Sequence, residues 1–269
     1  MTENIANSVD VEAASKEPKT IHSIEKALDI IEYLYQYNQE ANLRDICKAT
    51  GLHGSTAHRI LSTMKNRGYI HQNEKNAKYW LGFKFYGIGN AVKDNMPLAE
   101  IIEPYADKIA RKYKQTVYTA MPYYQSDTPQ QVIVYKVSHS PYIIRNSPDV
   151  GTIAASHGAA TGKCMMAYYP EKLIAEYKQH PLPMLTAKTI TDWNILEDEL
   201  QRIRRNGYAM ESDEEEIGST CIAVPITDKQ NSIIASVSLS GPTSMIFEFK
   251  INDILNDLRE AAAEVSAKF

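Results

Sequence analysis

The chain has 269 residues, of which 23% are charged and 43% are hydrophobic, and its formal net charge is −4 at neutral pH. A chain of this length can form one or two domains that each bury a core, and the composition is that of an ordinary globular protein. No apolar run reaches the roughly 18 residues that a membrane-spanning helix requires. We therefore expect no contact with a membrane.

The amino-terminal residues 1–19 are polar and lack periodicity, which predicts a disordered arm. They have neither the basic start nor the apolar core of a secretory signal. The three cysteines, Cys47, Cys164 and Cys221, are widely spaced and match neither a redox motif nor a zinc-binding pattern. We therefore expect a protein of the reducing cytoplasm that uses no cofactor and no metal.

A first helix and a helix-turn-helix pair are predicted in the segment that begins at Ile21. Apolar residues recur there at helical spacing up to a break near Asn38. A second helix begins at Leu43, Gly51 interrupts the pattern, and a third helix opens at or near Ser55, whose side chain can cap it. Glycine at the interruption permits a positive φ, as the tight turn between two such helices requires.

The outward face of the third helix is suited to reading duplex DNA. Its short hydrogen-bonding side chains surround one guanidinium, which can pair with guanine in the major groove while hydroxyls reach phosphates or base edges. Two short β-like runs, residues 69–71 and 78–81, follow with a polar segment between them, which predicts a wing whose basic tip lies along the phosphate backbone. The residues expected to contact DNA are Arg44, Ser55, Thr56, His58, Arg59, Ser62, Lys75 and Lys78.

The charge distribution favours the same interpretation. Residues 40–85 contain eight basic and three acidic side chains, a balance of +5 within a chain whose total is −4. A basic segment in an acidic protein is typical of local nucleic-acid binding. Helix-turn-helix pairs also serve as plain packing or docking units, and helix spacing alone leaves that alternative open.

An aromatic-rich segment interrupted by glycines follows the predicted wing at residues 83–97. The pattern predicts a linker helix. Its large apolar side chains exceed what a linker requires, which predicts a dimer contact. Packing of the same side chains under the wing is the alternative.

The pattern changes at Leu98, where strands and helices begin to mix without strict alternation. Such mixing favours an α+β domain with an antiparallel sheet flanked by helices. The predicted strands lie at 116–121, 131–137, 142–146, 221–226 and 233–239. The predicted helices lie at 101–113, 156–168, 170–179, between an Asp192 cap and a Gly207 stop, and at 247–269.

Several motifs in order resemble one protein family. GLHGSTAHRILSTMKNRGYI followed by YWLG resembles the amino-terminal domain of the IclR family of bacterial transcriptional regulators. SHGAATGKCMMAYYP, GYAMESDEEEIGSTCIAVPI and SVSLSGP resemble the effector-binding domain of that family. The resemblance implies a winged helix-turn-helix domain at 20–82, a linker helix at 83–97, a GAF-like effector-binding domain at 98–269, and dimers or tetramers.

A second predicted site is a pocket for a small carboxylate in the carboxyl-terminal domain. A helix start near Gly158 offers backbone amides and the positive end of a helix dipole. Ser238 and Ser240 are two apart on a strand, so their hydroxyls face one side, although they alternatively satisfy only strand hydrogen bonds. With the positions that match the family's pocket, the predicted set is Ile143, Asn146, Ala160, Thr161, Glu211, Cys221, Ser238 and Ser240.

The acidic run at residues 213–216 is typical of a solvated loop and is not expected to bind metal.

The whole pattern favours a ligand-responsive regulator of a catabolic operon that binds a palindromic operator in duplex DNA, with repression and activation both open. A thiol-dependent enzyme is the first alternative, in which one of two cysteines and one of two histidines would form a catalytic thiol-imidazole pair. The spacing of these residues in the sequence does not require any of them to be in contact. A redox or metal sensor is the second. The residues of the thiol alternative are Cys164, Cys221, His139 and His157.

Overall fold

The computed structural model describes residues 20–95, 97–125, 128–143 and 148–269, and the chain divides into two compact units, Met1–Asn95 and Met96–Phe269. The amino-terminal unit contains α1 (His22–Tyr37), α2 (Leu43–Thr50), α3 (Gly54–Asn66), β1 (Ile70–Gln72), β2 (Tyr79–Leu81) and α4 (Lys84–Asp94). No helix in the described ranges is long and apolar enough to cross a bilayer.

The helix-turn-helix forms where the sequence predicts it. Asn38 ends α1 in the left-handed region with a φ of 50°, and Gly51 ends α2 with a φ of 68°. The prediction that Ser55 caps α3 is wrong, because α3 begins at Gly54 and its cap is His53. The His53 ring nitrogen Nδ1 accepts from the Ser55 amide at 3.4 Å and lies 2.9 Å from the Ser55 hydroxyl, so that hydroxyl turns back to the cap.

The predicted wing is an antiparallel pair in which Ile70 lies opposite Leu81. Glu40 holds the loop between the strands, because its carboxylate accepts from the side-chain amides of Asn73 and Asn76, each at 2.9 Å. The three helices and the wing share one apolar core. Its buried members are Ile30, Leu34, Ala41, Ile46, Ala57, Leu61, Met64, Ile70 and Tyr79.

The carboxyl-terminal unit is built on a six-stranded sheet whose order is β5-β4-β3-β8-β7-β6, with every neighbouring pair antiparallel. This confirms the predicted α+β class. The strands are β3 (Thr116–Gln125), β4 (Thr128–Ser138), β5 (Ile153–Ala155), β6 (Ala209–Ser212), β7 (Ser219–Thr227) and β8 (Ile233–Pro242). The helices are α5 (Leu98–Tyr113), α6 (Ala160–Met166), α7 (Glu171–Tyr177), α8 (Trp193–Asn206), α9 (Thr243–Ile246) and α10 (Ile251–Ser266).

Helices cover both faces of this sheet, and β8 shows how its residues divide between them. Ala235, Val237 and Leu239 belong to the core that α5 and α10 share. The alternate residues of a strand point to the opposite face, so Ser238 and Ser240 face the side covered by α6. Both serines are fully buried, as expected for the central strand of a covered sheet.

Three predicted elements need correction. Tyr142 and Ile143, predicted as strand, lie in a bend, and the rest of that predicted strand lies outside the described residues. The helix predicted from Ser156 begins only at Ala160, because residues 156–159 form a turn. The last helix begins at Ile251, after the separate short helix α9.

Candidate DNA-binding face and effector cavity

The outer face of α3 carries the polar side chains that the sequence singles out. Ala57, Leu61 and Met64 are buried in the core and Ile60 packs partly against it, so it is the polar residues between them that turn outward. His58 and Arg59 are exposed. Within the described part of the chain, Arg59 has neither a hydrogen bond nor an ion pair through its guanidinium, which leaves all its donors available to a ligand. The others predicted on α3 are Ser55, which is exposed, and Thr56 and Ser62, which are half-buried.

The remaining predicted DNA contacts lie on neighbouring elements of the same unit. Arg44 is exposed on α2, Lys75 is exposed in the loop between the wing strands, and Lys78 in that loop is half-buried. The amides of both lysines are fixed by asparagine side chains two residues earlier, at 3.0 and 2.9 Å. Lys65, which sequence reasoning missed, donates from Nζ to Oε1 of Gln72 at 2.8 Å and so ties α3 to the wing.

A cavity of about 550 Å³ lies on the α6 side of the sheet in the carboxyl-terminal unit. This volume lies within the range typical of small-molecule sites. The lining combines aliphatic side chains with three hydroxyls and two carboxyls. Its members are Tyr118, Val132, Val134, Pro148, Thr152, Ala154, Ala159, Thr161, Glu215 and Glu216.

Of the eight residues predicted to bind an effector, Thr161 lines this cavity. Ala160 is fully buried between the lining residues Ala159 and Thr161. Ile143 is 99% exposed and does not line the cavity, and Asn146 lies outside the described residues. The other four are buried in the sheet beside it: Glu211, Cys221, Ser238 and Ser240.

The predicted amide cradle at Gly158 is wrong. The amides of Gly158 and Ala159 both donate to the carbonyl of Ala155, at 3.2 and 3.3 Å, so neither is available to an anion. The serine hydroxyls of β8 follow the alternative interpretation in part, since Ser238 donates from Oγ to the carbonyl of Tyr118 at 3.2 Å. These two amides are therefore not free to form the predicted anion site.

A buried ionic cluster lies beside the cavity, and only Glu211 of its members was predicted from the sequence to bind an effector. Lys163 is fully buried on α6, and its Nζ lies 2.6 Å from Oε1 of Glu214. Glu211 is 2% exposed, and its Oε2 accepts from the amide of Glu214 at 3.0 Å. Burial raises the pKa of Glu211 to about 7, with a smaller contribution from the charge of Glu215.

The acidic run at residues 213–216 is not wholly a solvated loop, contrary to the sequence interpretation. Glu215 is half-buried and lines the cavity. Burial, followed by the charge of Glu216, raises the pKa of Glu215 above its ordinary value. The run is fixed from another segment, because Thr189 donates from its hydroxyl to the carbonyl of Glu214 at 2.7 Å. The cavity therefore has an acidic wall of fixed geometry.

The thiols near the cavity are unreactive at neutral pH. Cys221 Sγ lies 3.3 Å from the hydroxyl of Tyr118, and burial raises its pKa to about 12. Burial also raises the pKa of Cys164. Since the thiolate is the nucleophile, neither thiol is poised for catalysis at neutral pH. His157 uses Nε2 for a hydrogen bond to the carbonyl of Pro183 at 2.8 Å.

A two-unit fold with a winged helix-turn-helix and a ligand-sized cavity defines a class of one-component regulators. Residues 23–74 match the model described as the IclR helix-turn-helix domain, and residues 90–267 match the one described as the bacterial transcriptional regulator IclR carboxyl-terminal domain. The chain belongs to the IclR family of bacterial transcriptional regulators. Because this family consists of transcriptional regulators, the enzyme hypothesis is set aside.

Individual relatives agree with this assignment over almost the whole chain. The HTH-type transcriptional regulator XynR of Escherichia coli is 30% identical over 247 residues, which are 91% of this chain and 96% of that relative. An IclR regulator from Alicyclobacillus acidocaldarius has a TM-score of 0.79 at 24% identity, covering 93% of this chain and 99% of its own. An IclR homologue from Microbacterium hydrocarbonoxydans, solved with 4-hydroxybenzoate, has a TM-score of 0.80 at 21% identity, covering 91% and 98%.

Proposed function

We propose that this protein controls a catabolic operon, binding operator DNA through α3 and the wing and a small organic acid in the cavity of the carboxyl-terminal unit. Two observations in one chain carry the proposal: Arg59 lies on an exposed polar helix face with no side-chain partner among the described residues, and the carboxyl-terminal unit contains a ligand-sized cavity. The homologue solved with 4-hydroxybenzoate supports this effector class. Such a regulator acts in the cytoplasm, alongside the DNA that it binds.

The lining of the cavity supports an acid that carries one carboxylate and hydroxyl groups. The hydroxyls of Tyr118, Thr152 and Thr161 can donate to a carboxylate. Tyr118 remains a donor at neutral pH, because burial raises its pKa well above the ordinary value. Glu215 and Glu216 can accept from ligand hydroxyls. Their charges repel any carboxylate, so the ligand carboxylate would lie away from them and its hydroxyls towards them.

We further propose that the protein is a homodimer or homotetramer that binds a palindromic operator. Phe83, Tyr86 and Val92 are 91%, 70% and 55% exposed on or beside α4, and an exposed apolar face of this size favours a self-contact. In this proposal residues 20–82 bind DNA, residues 83–97 form a linker, and residues 98–269 bind the effector. A coupling of about 1 to 3 kcal/mol between effector and operator is enough for regulation.

The effector proposal is tested by a thermal-shift screen of aromatic, aliphatic and sugar-derived acids. A ligand that binds only the native state raises the melting temperature, by the equivalent of about 2.7 kcal/mol at one hundred times its Kd. Thr161→Val keeps the shape of the cavity and removes one hydroxyl, so it should reduce the response. Thr63→Val, the same change in the amino-terminal unit, should not. If no acid in the panel raises the melting temperature, the proposal that the effector is an organic acid fails.

The DNA-reading proposal is tested by Arg59→Ala. If the guanidinium pairs with a base, the variant should lose about 1 to 3 kcal/mol of operator affinity and relax the base preference at one position. Selection of bound sequences from a random pool measures the preference, and a gel-shift titration measures the affinity. Arg111→Ala, an exposed arginine of α5, is the matched control. An unchanged affinity and preference would exclude Arg59 from base readout.

A further inference from the structure

A cleft of about 600 Å³ lies between α1 and α3 in the amino-terminal unit. Its rim carries basic and hydroxyl side chains from both helices, and its floor is apolar. The rim residues are His22, Ser23, Lys26, Thr56, Arg59 and Thr63, and the floor residues are Ala27, Ile60 and Met64. Two of these, Thr56 and Arg59, belong to the DNA-reading face of α3, whereas no residue of α1 was singled out from the sequence.

The charges around this cleft favour an anion. Neither Lys26 nor Arg59 has an ion-pair partner among the described residues, and the described lining of the cleft contains no carboxylate. The nearby carboxylate of Glu25 is already engaged, since its Oε2 lies 2.9 Å from Nδ1 of His22. Asp29, one turn after Lys26, is exposed and does not line the cleft. Two uncompensated cations on opposite rims repel each other, and an anion between them would relieve that repulsion.

We propose that this α1–α3 cleft binds a backbone phosphate of the DNA duplex, which makes α1 a further DNA-contacting element beside α2, α3 and the wing. An ammonium, a guanidinium and short hydroxyls are the groups that bind phosphate oxygens in proteins. The phosphate of a duplex fits better than a free anion, because Arg59 belongs both to the cleft and to the face that reads the groove. Lys26 carries a point charge, which positions the backbone without reading sequence.

The test measures the salt dependence of DNA binding, and it rests on the DNA-binding role of the unit. Fluorescence anisotropy with a short duplex of arbitrary sequence gives the slope of log K against log salt for the full-length protein. Lys26→Gln should lower the magnitude of that slope by about one. It should also weaken binding about threefold, and this factor should be the same for the operator and for unrelated duplexes. Lys26→Arg should retain wild-type affinity and slope. Lys172→Gln, an exposed lysine of α7, should change neither quantity.

Three results would overturn the proposal. An unchanged slope and affinity in Lys26→Gln would exclude the phosphate contact while leaving α2, α3 and the wing as the DNA-binding elements. A loss of affinity with an unchanged slope would show that Lys26 only supports the fold, and a lowered melting temperature would accompany it. If the wild-type protein binds no duplex at low salt, this inference and the proposed function both fail.

Discussion

Replacing Lys163 by Met should lower the free energy of unfolding of the carboxyl-terminal unit by about 3 to 5 kcal/mol, as is typical when one partner of a buried ion pair is removed. Lys163 is fully buried, and its partner Glu214 has a side chain that is only 14% exposed. Methionine fills a similar volume but leaves the carboxylate without its cation. Lys163 also lowers the pKa of Glu211, so its loss makes ionised Glu211 more costly as well.

Urea denaturation followed by Trp193 fluorescence, in a background with Trp80 replaced by Phe, measures this effect in the correct unit. Lys172→Met, on the exposed surface of α7, should change stability by no more than about 0.5 kcal/mol. The double variant Lys163→Met with Glu214→Leu should recover most of the loss, because an apolar pair of similar volume replaces the ion pair. If Lys163→Met lowers the free energy of unfolding by less than about 1 kcal/mol, the buried ion pair does not stabilise the fold as expected.

Replacing Glu211 by Gln should remove a pH dependence of stability. The pKa of Glu211 rises from 4.5 to about 7 on folding, so the native state binds this proton more tightly than the unfolded state. Its stabilising contribution is therefore complete below pH 4.5 and is lost as the pH rises through 7. Each pKa unit corresponds to about 1.4 kcal/mol, which makes the total on the order of 3 kcal/mol.

The comparison is made by denaturing wild type and Glu211→Gln at pH 5 and pH 8. Glutamine keeps an acceptor for the amide of Glu214, so the variant should match wild type at the lower pH and exceed it at the higher one. Glu215, whose pKa is also raised, should leave a residual slope of the same sign in the variant. Parallel stability profiles for the two proteins would show that Glu211 is not the titrating group.

The helix-turn-helix was predictable because its signals are local. Gly51 marks the turn through its own backbone, and the apolar spacing of α3 points to the buried residues Ala57 and Leu61. The cap was misassigned, since His53 and Ser55 are both polar and lie two residues apart. The backbone decides between them, because His53 is extended, with φ of −66° and ψ of 142°, and so immediately precedes the first helical residue, Gly54.

The edge strands and the acidic wall were not predictable, because tertiary pairing creates them. Strand β6 has four residues and is defined by its pairing with β7, as in Ala209 opposite Ala223. The burial of Glu215 depends on a loop that Thr189 fixes from a distant part of the chain. An acidic run with no periodicity carries no local sign of such a partner. The same holds for Lys163, whose partner lies 51 positions later.

The unequal burial of the cysteines gives the protein a built-in attachment point for covalent labels. Cys164 and Cys221 are buried, whereas Cys47 on α2 is half-buried and is the one thiol of the amino-terminal unit. Thiol-directed dyes react through the thiolate, so a maleimide fluorophore would be installed at Cys47 well before the two buried sites. The native chain therefore allows movement of its helix-turn-helix to be followed optically without an engineered residue.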